Sequence, residues 1–174
     1  MIKKIGIIGA GTMGSGIAAA SSINGFETLL YDIYPEAVQK AVSGISKGFQ
    51  KLEEKGKIDA AKRKAAEGNI IQINDLAGLA ECDIIIEAAI ENIDLKKELY
   101  KKLDEVTKPE AILATNTSSF SITSISTAVK NNPGRVAGMH FFNPANIMKL
   151  VEVIKGEFTS DETVNAVSEL CKKL

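Results

Sequence analysis

The chain has no tryptophan, one histidine and two cysteines, and each scarcity removes a class of function. A lone His140 cannot belong to a cluster of histidine ligands, so a His-based metal centre is excluded. Cys82 and Cys171 lie far apart and lack CxxC spacing, which argues against a metal site and suits a reducing compartment. No apolar run approaches the roughly 18 residues that a membrane helix needs, so no membrane partner is expected. Charge of one sign is also lacking. The 21 Lys and Arg nearly balance the 22 Asp and Glu, leaving a net charge of −1. The basic residues are spread along the chain, which argues against nucleic acid as a partner. Internal repeats, low-complexity tracts and linkers are absent, so residues 1–174 are expected to form one domain. A cytoplasmic location follows by default. Lys3 and Lys4 before an apolar stretch loosely suggest a signal peptide. A glycine motif inside that stretch speaks against cleavage there.

That motif is Gly9-Ala10-Gly11-Thr12-Met13-Gly14, a GxGxxG run. An apolar segment of strand type, 4–8, precedes it, and an Ala- and Ile-rich helical segment, 15–25, follows. Asp32 then closes a second apolar run at 28–31. Strand, glycine turn, helix, strand and acid within about 30 residues make one dinucleotide-binding βαβ unit. Gly9 permits the tight turn, Gly11 lets a pyrophosphate approach the backbone, and Gly14 lets helix and strand pack closely. The free N–H groups and positive dipole end of the helix face the phosphates. Asp32 can accept hydrogen bonds from both ribose hydroxyls and would repel a 2′-phosphate. Ile33 follows it and no Arg lies nearby, which favours NAD over NADP. FAD or S-adenosylmethionine on a similar turn stays open at this point.

Strand-length apolar runs continue to alternate with helical stretches. A long helical arm is expected at 35–55, opening with Pro35 and ending in the charged segment 51–57. A second helix is expected at 59–67 and strands at 69–73, 83–89, 111–114, 136–140 and 149–154. The segment 83–89 reads as a parallel strand buried on both faces. The stretch 94–106 places Leu95, Leu99, Leu103 and Val106 on one helical face. A final helix, 160–174, has Ser160 as its N-cap and a stripe of Val164, Val167, Leu170 and Leu174. That stripe packs either on the sheet or on another domain. The alternation predicts an α/β fold with a doubly wound, mostly parallel sheet of Rossmann type and a helical arm after the second strand.

Ligands of such sheets sit at the carboxyl ends of the strands. Three segments fall there: 87–92, the hydroxyl-rich 115–119, and 139–144 with the sole histidine. This set suits oxidation of an alcohol. His140 is the candidate base, because imidazole titrates near working pH. Glu152, on the next strand, is the candidate partner that fixes its tautomer, and Ser118 the candidate donor to the reacting oxygen. Asn116-Thr117-Ser118 also matches a glycosylation pattern, without meaning in a cytoplasmic protein.

Together, Gly9–Gly14 with Asp32, residues 87–91, residues 116–119, and His140-Phe141-Phe142-Asn143-Pro144 followed by residues 148–154 resemble the L-3-hydroxyacyl-CoA dehydrogenases, in particular the bacterial 3-hydroxybutyryl-CoA dehydrogenases. The resemblance covers essentially the whole chain. It implies NAD-dependent interconversion of a short-chain (S)-3-hydroxyacyl-CoA and its 3-oxoacyl-CoA in fatty-acid and butanoate metabolism. It implies His140, Glu152 and Ser118 as catalytic residues. Gly9, Gly11, Thr12, Met13, Gly14, Asp32, Ala89, Glu91, Lys96, Ser118 and Asn143 would line the NAD site. Lys51 and Lys55, with Ser118, would meet the acyl-CoA thioester. Gly48 stands where the family often has a small polar residue, so one side-chain contact is lost. The family's second, all-helical domain has no counterpart in these 174 residues. The chain is therefore expected to be the NAD-binding domain alone, with self-association or a mobile last helix. Its alternative role is an NAD(H)-binding module with little turnover.

Overall fold

A computed structural model describes residues 2–174. Seven strands form one sheet: β1 (Lys4–Ile8), β2 (Glu27–Tyr31), β3 (Ile70–Gln72), β4 (Ile84–Glu87), β5 (Ile112–Thr115), β6 (Val136–Phe141) and β7 (Val151–Ile154), in the order β3-β2-β1-β4-β5-β6-β7. All pairings are parallel except β6 with β7. The order reverses between β1 and β4, which opens a crevice at their carboxyl ends, the place where doubly wound sheets bind ligands. The helices are α1 (Thr12–Ile23), α2 (Pro35–Glu54), α3 (Ala60–Gly68), α4 (Ile93–Val106), α5 (Ile122–Ser126) and α6 (Asp161–Cys171). The expected fold class is the observed one. The short α5 and the 3-10 turns at Leu76–Leu79 and Pro133–Arg135 were not foreseen.

The central strands explain the two-layered core. Ile84, Ile85 and Ile86 are fully buried. Their side chains alternate, so Ile84 and Ile86 join the layer of α1, α2 and α6, and Ile85 joins that of α4 and α5. Burial of each such side chain stabilises the fold by about 1.5–3 kcal/mol. The starts of α3 to α6 are fixed by side-chain oxygens. Asn92 accepts from the N–H groups of Asp94 and Leu95 at the head of α4, and Ser160 accepts from Thr163 N–H at the head of α6.

Two expectations change. The inward face of α4 carries Lys96, Tyr100, Leu103 and Asp104, while Leu95 is 56% exposed. The leucine spacing pointed to a face rotated from the true one, because two charged residues face inward and are paired there. Asp104 accepts from Arg135 Nη2 at 2.8 Å, and Arg135 is only 2% exposed. The open question about α6 is answered as well. Val167 and Leu170 are buried in the sheet's own core, with Leu174 packed against it. Three of the four stripe residues are thus covered by the sheet's core, and Val164 is half-buried.

Candidate active site

The glycine turn joins β1 to α1 at the crevice. Gly9 has φ +99°, the left-handed region, and a Cβ there would lie 2.5 Å from the Ala88 carbonyl oxygen. A Cβ on Gly14 would lie 1.7 Å from the carbonyl oxygen of Gly9. Gly14 therefore lets α1 close onto the turn itself more than onto the strand. Beside Gly11 nothing lies within 4 Å of an added Cβ. The space is open where a pyrophosphate would sit. Gly11 caps α1 without a side-chain hydrogen bond, so the first N–H groups of the helix keep their donors for an anion. These residues fit a dinucleotide. Asp32 follows β2 and reaches back to the turn. Its Oδ2 accepts from Ala10 N–H at 2.7 Å and its Oδ1 from Tyr34 N–H at 3.0 Å. Each oxygen retains a lone pair for a ribose hydroxyl.

A smaller cavity of about 260 Å³ lies on the other side of the turn, lined by Met13, Ala89, Glu91, Lys96, Asn116 and Ser118 among others. Its floor is ionic. Glu87, fully buried at the end of β4, accepts from Lys96 Nζ at 2.6 Å, Ala89 N–H at 2.7 Å and Thr115 Oγ1 at 2.7 Å. Lys96 also reaches Glu91 Oε2 at 3.2 Å. Burial pushes the Glu91 carboxyl up, but Thr117 Oγ1, the Lys96 ammonium and Ser118 N–H outweigh it and hold it below its ordinary range. Glu87, Thr115, Asn116 and Thr117 lay within the expected ligand segments, but sequence assigned none of them a role of its own. One signal was present for Glu87: a carboxylate ending a wholly apolar strand must find a cation.

His140 stands near the end of β6, directly opposite Glu152 in the antiparallel ladder with β7. Opposite residues on one face have Cβ atoms about 4.5–5.5 Å apart, so the register alone brings the two side chains together. His140 Nδ1 lies 2.8 Å from Glu152 Oε2, and Nε2 lies 3.1 Å from Ser118 Oγ. With Glu152 ionised, Nδ1 carries the hydrogen and donates it. Nε2 is left with a lone pair facing the serine hydroxyl. Phe142 packs its ring 4.8 Å from the imidazole. Asn116 Oδ1 accepts from Phe141 N–H at 2.8 Å, which stitches the Ser118 loop to β6 beside the histidine.

A larger groove of about 1020 Å³ runs between α1, α2 and the loop after β6. Gly11, Thr12 and Asp32 line one part of it, and Gly48, Lys55 and Asn143 line others. Asn143, expected at the NAD site, thus opens on this groove and not on the smaller cavity. Lys51 is exposed near the end of α2 and does not line the groove. Among the described residues no cluster of His, Cys, Asp and Glu could hold a metal, and no helix is long and apolar enough to cross a membrane.

A doubly wound sheet with this strand order, an open glycine turn at its switch point and an acid after β2 is a dinucleotide-binding domain. The family described as "3-hydroxyacyl-CoA dehydrogenase, NAD binding domain" matches residues 4–174, and the chain belongs to it. It is 44% identical over 171 residues to a probable 3-hydroxybutyryl-CoA dehydrogenase of Deinococcus radiodurans, covering 98% of this chain and 61% of that protein. It is also 44% identical over 169 residues to the 3-hydroxyadipyl-CoA dehydrogenase of Escherichia coli, covering 97% of this chain and 35% of that protein. The crystal structure of an (S)-3-hydroxybutyryl-CoA dehydrogenase from Ralstonia eutropha is similar with a TM-score of 0.96 at 42% identity, over 99% of this chain and 61% of that one. The chain thus spans 61% or less of the length of these relatives.

Proposed function

We propose that this chain is the NAD-binding and proton-transferring domain of a dehydrogenase that interconverts a short-chain (S)-3-hydroxyacyl-CoA and its 3-oxoacyl-CoA. The observation that carries the reading is His140 held between Glu152 and Ser118 beside the smaller cavity. When bound, NAD supplies the acceptor for the hydride. The protein handles the proton. His140 Nε2 takes it from the substrate hydroxyl as the carbonyl forms, and the Glu152 carboxylate stabilises the imidazolium. Ser118 Oγ donates to the reacting oxygen. The free helix head of α1 holds the pyrophosphate, and Asp32 selects NAD by repelling a 2′-phosphate. Lys55 on the groove, with Lys51 near the end of the same arm, attracts the phosphates of coenzyme A. The names of the relatives place butyryl and adipyl chains at the same 44% identity, so the short acyl group is part of the proposal. The cytoplasmic setting is part of it too, supported by two free thiols. Self-association is proposed through the loop after β6, where Ile147 is 68% and Leu150 54% exposed.

A second reading, an NAD(H)-binding module with little turnover, is favoured by one feature. Glu152 is 53% exposed, so water reaches the carboxylate that orients His140. Hydride transfer needs reacting atoms about 3–3.5 Å apart. One experiment separates the readings: fluorescence titration with NADH beside a steady-state assay with acetoacetyl-CoA. Saturable NADH binding with turnover that disappears in His140→Gln is the expected result. Binding without turnover leaves the module, and failure of NADH to bind removes both.

A further inference from the structure

A closed ring of hydrogen bonds and one ion pair lies beneath the smaller cavity, and Thr117 occupies the position where it meets the catalytic loop. Around the ring, Lys96 Nζ donates to Glu87 at 2.6 Å and pairs with Glu91 Oε2 at 3.2 Å. Glu91 Oε1 accepts from Thr117 Oγ1. Thr117 N–H donates to Thr115 Oγ1 at 3.2 Å, and Thr115 Oγ1 donates to Glu87 at 2.7 Å, which closes the circuit. Thr117 is 5% exposed, so its polar atoms depend on these partners. Its Oγ1 also accepts from Phe120 N–H at 3.1 Å, which folds the loop over 117–120. The next residue is Ser118, whose N–H donates to the same Glu91 oxygen at 3.2 Å and whose Oγ lies 3.1 Å from His140 Nε2.

We propose that Thr117 is a positioning residue: through the ring it holds the Ser118 hydroxyl against the free nitrogen of His140. This rests on the reading of His140 as the base, but it makes a separate claim about how the base and Ser118 are kept in register. The physics is that of a short lever. Ser118 has one side-chain torsion, so the backbone at 117–119 decides where its oxygen lies. That backbone is fixed on one side by the ring and on the other by Asn116 at Phe141 N–H. Thr117→Val keeps the shape and removes the hydroxyl. Glu91 then loses a donor and Phe120 N–H loses its acceptor, so the loop relaxes and Ser118 leaves Nε2. Thr117→Ser keeps the hydroxyl and holds the loop.

His140 is the only histidine, so its ring nitrogens give isolated resonances in a 15N-labelled sample. The test compares the His140 Nε2 resonance and tautomer in the unmutated chain, Thr117→Val, Thr117→Ser and Ser118→Ala. Thr117→Val should move Nε2 to the position found in Ser118→Ala, and Thr117→Ser should restore the unmutated value. An unmoved Nε2 in Thr117→Val, or a Ser118→Ala that itself moves nothing, overturns the proposal. If Thr117→Val fails to fold, Glu91→Ala breaks the same link from its other end, by removing the carboxylate that accepts from Thr117 Oγ1 on a side chain that is 42% exposed, and the same comparison applies. NADH titration of the unmutated chain is scored separately. Its failure would sink the dehydrogenase reading and leave the resonance result standing.

Discussion

The Asp32 carboxylate both lines the open groove and accepts from Ala10 N–H at 2.7 Å, so the cofactor choice proposed for it is tied to the shape of the turn. Asp32→Ala should therefore weaken NADH and shift the turn together. Loss of a hydrogen bond to a charged acceptor costs about 1.5–3 kcal/mol, or roughly a factor of ten to a hundred in affinity. NADPH should lose less, since the repelling charge goes too, and the gap between the cofactors should narrow. Parallel fluorescence titrations check this, and equal affinities in the unmutated chain would contradict the assignment. Residues of this kind were legible in sequence: a glycine turn, an acid after the next strand, a lone histidine. Thr117 and Asn116 were not. Their segment was legible as one that meets ligands, but their hydroxyl and amide act on partners brought together only by the parallel sheet, so their individual roles were not.

At the scale of elements, the β6–β7 ladder and α4 teach opposite lessons. The alternation in 149–154 predicts a strand, and β7 (Val151–Ile154) fulfils it with Glu152 opposite His140. Helix α4 was legible in extent but not in orientation. Hydrophobic spacing assumes that charges face water, whereas Lys96 is 2% exposed and paired with fully buried Glu87. Breaking a buried pair by removing one partner destabilises by about 3–5 kcal/mol, because the remaining charge is stranded. Lys96→Met alone should therefore lower the melting temperature sharply. The double variant Lys96→Met with Glu87→Gln should recover much of the loss. A thermal double-mutant cycle measures the coupling, and additive losses would show that the pair does not hold α4 to β4.

For the whole molecule, stability in acid and association in solution follow from where charge and apolar surface lie. Asp83 sits where β4 begins beside β1. Burial pushes its carboxyl up, but the Lys108 ammonium at 2.7 Å and the N–H groups of Lys3 and Lys4 outweigh this and lower it to about 2. Asp104 is lowered in the same way against Arg135. A carboxyl with a depressed folded-state pKa stabilises the fold above its unfolded value near 4 and loses that contribution as pH falls towards 2. Stability should drop steeply over that window. Asp83→Asn should be less stable at neutral pH and have a shallower acid limb in urea titrations. An acid limb unchanged in this variant would show that the Asp83 cluster contributes nothing to the fold.

Self-association is an expectation whose surface depends on where apolar side chains stay exposed. Sequence pointed to apolar surface near the chain end and over the cleft; on α6, Val167 is fully buried and Leu170 is 2% exposed. The apolar side chains left in water include Ile147 at 68%, Met148 at 45% and Leu150 at 54%. They lie within four residues on the loop between β6 and β7, and Ile147 also lines the groove. Apolar patches of about 300–600 Å² on a monomer are often contact sites. If the chain associates, this loop and not α6 is the surface. The unmutated chain should show a mass that rises with concentration in sedimentation equilibrium. Ile147→Lys with Leu150→Lys should hold it at monomer mass, whereas Val164→Lys on α6 should change nothing. A unmutated chain that stays monomeric at high concentration would remove the association altogether. Loss of association in Val164→Lys alone would return the interface to α6.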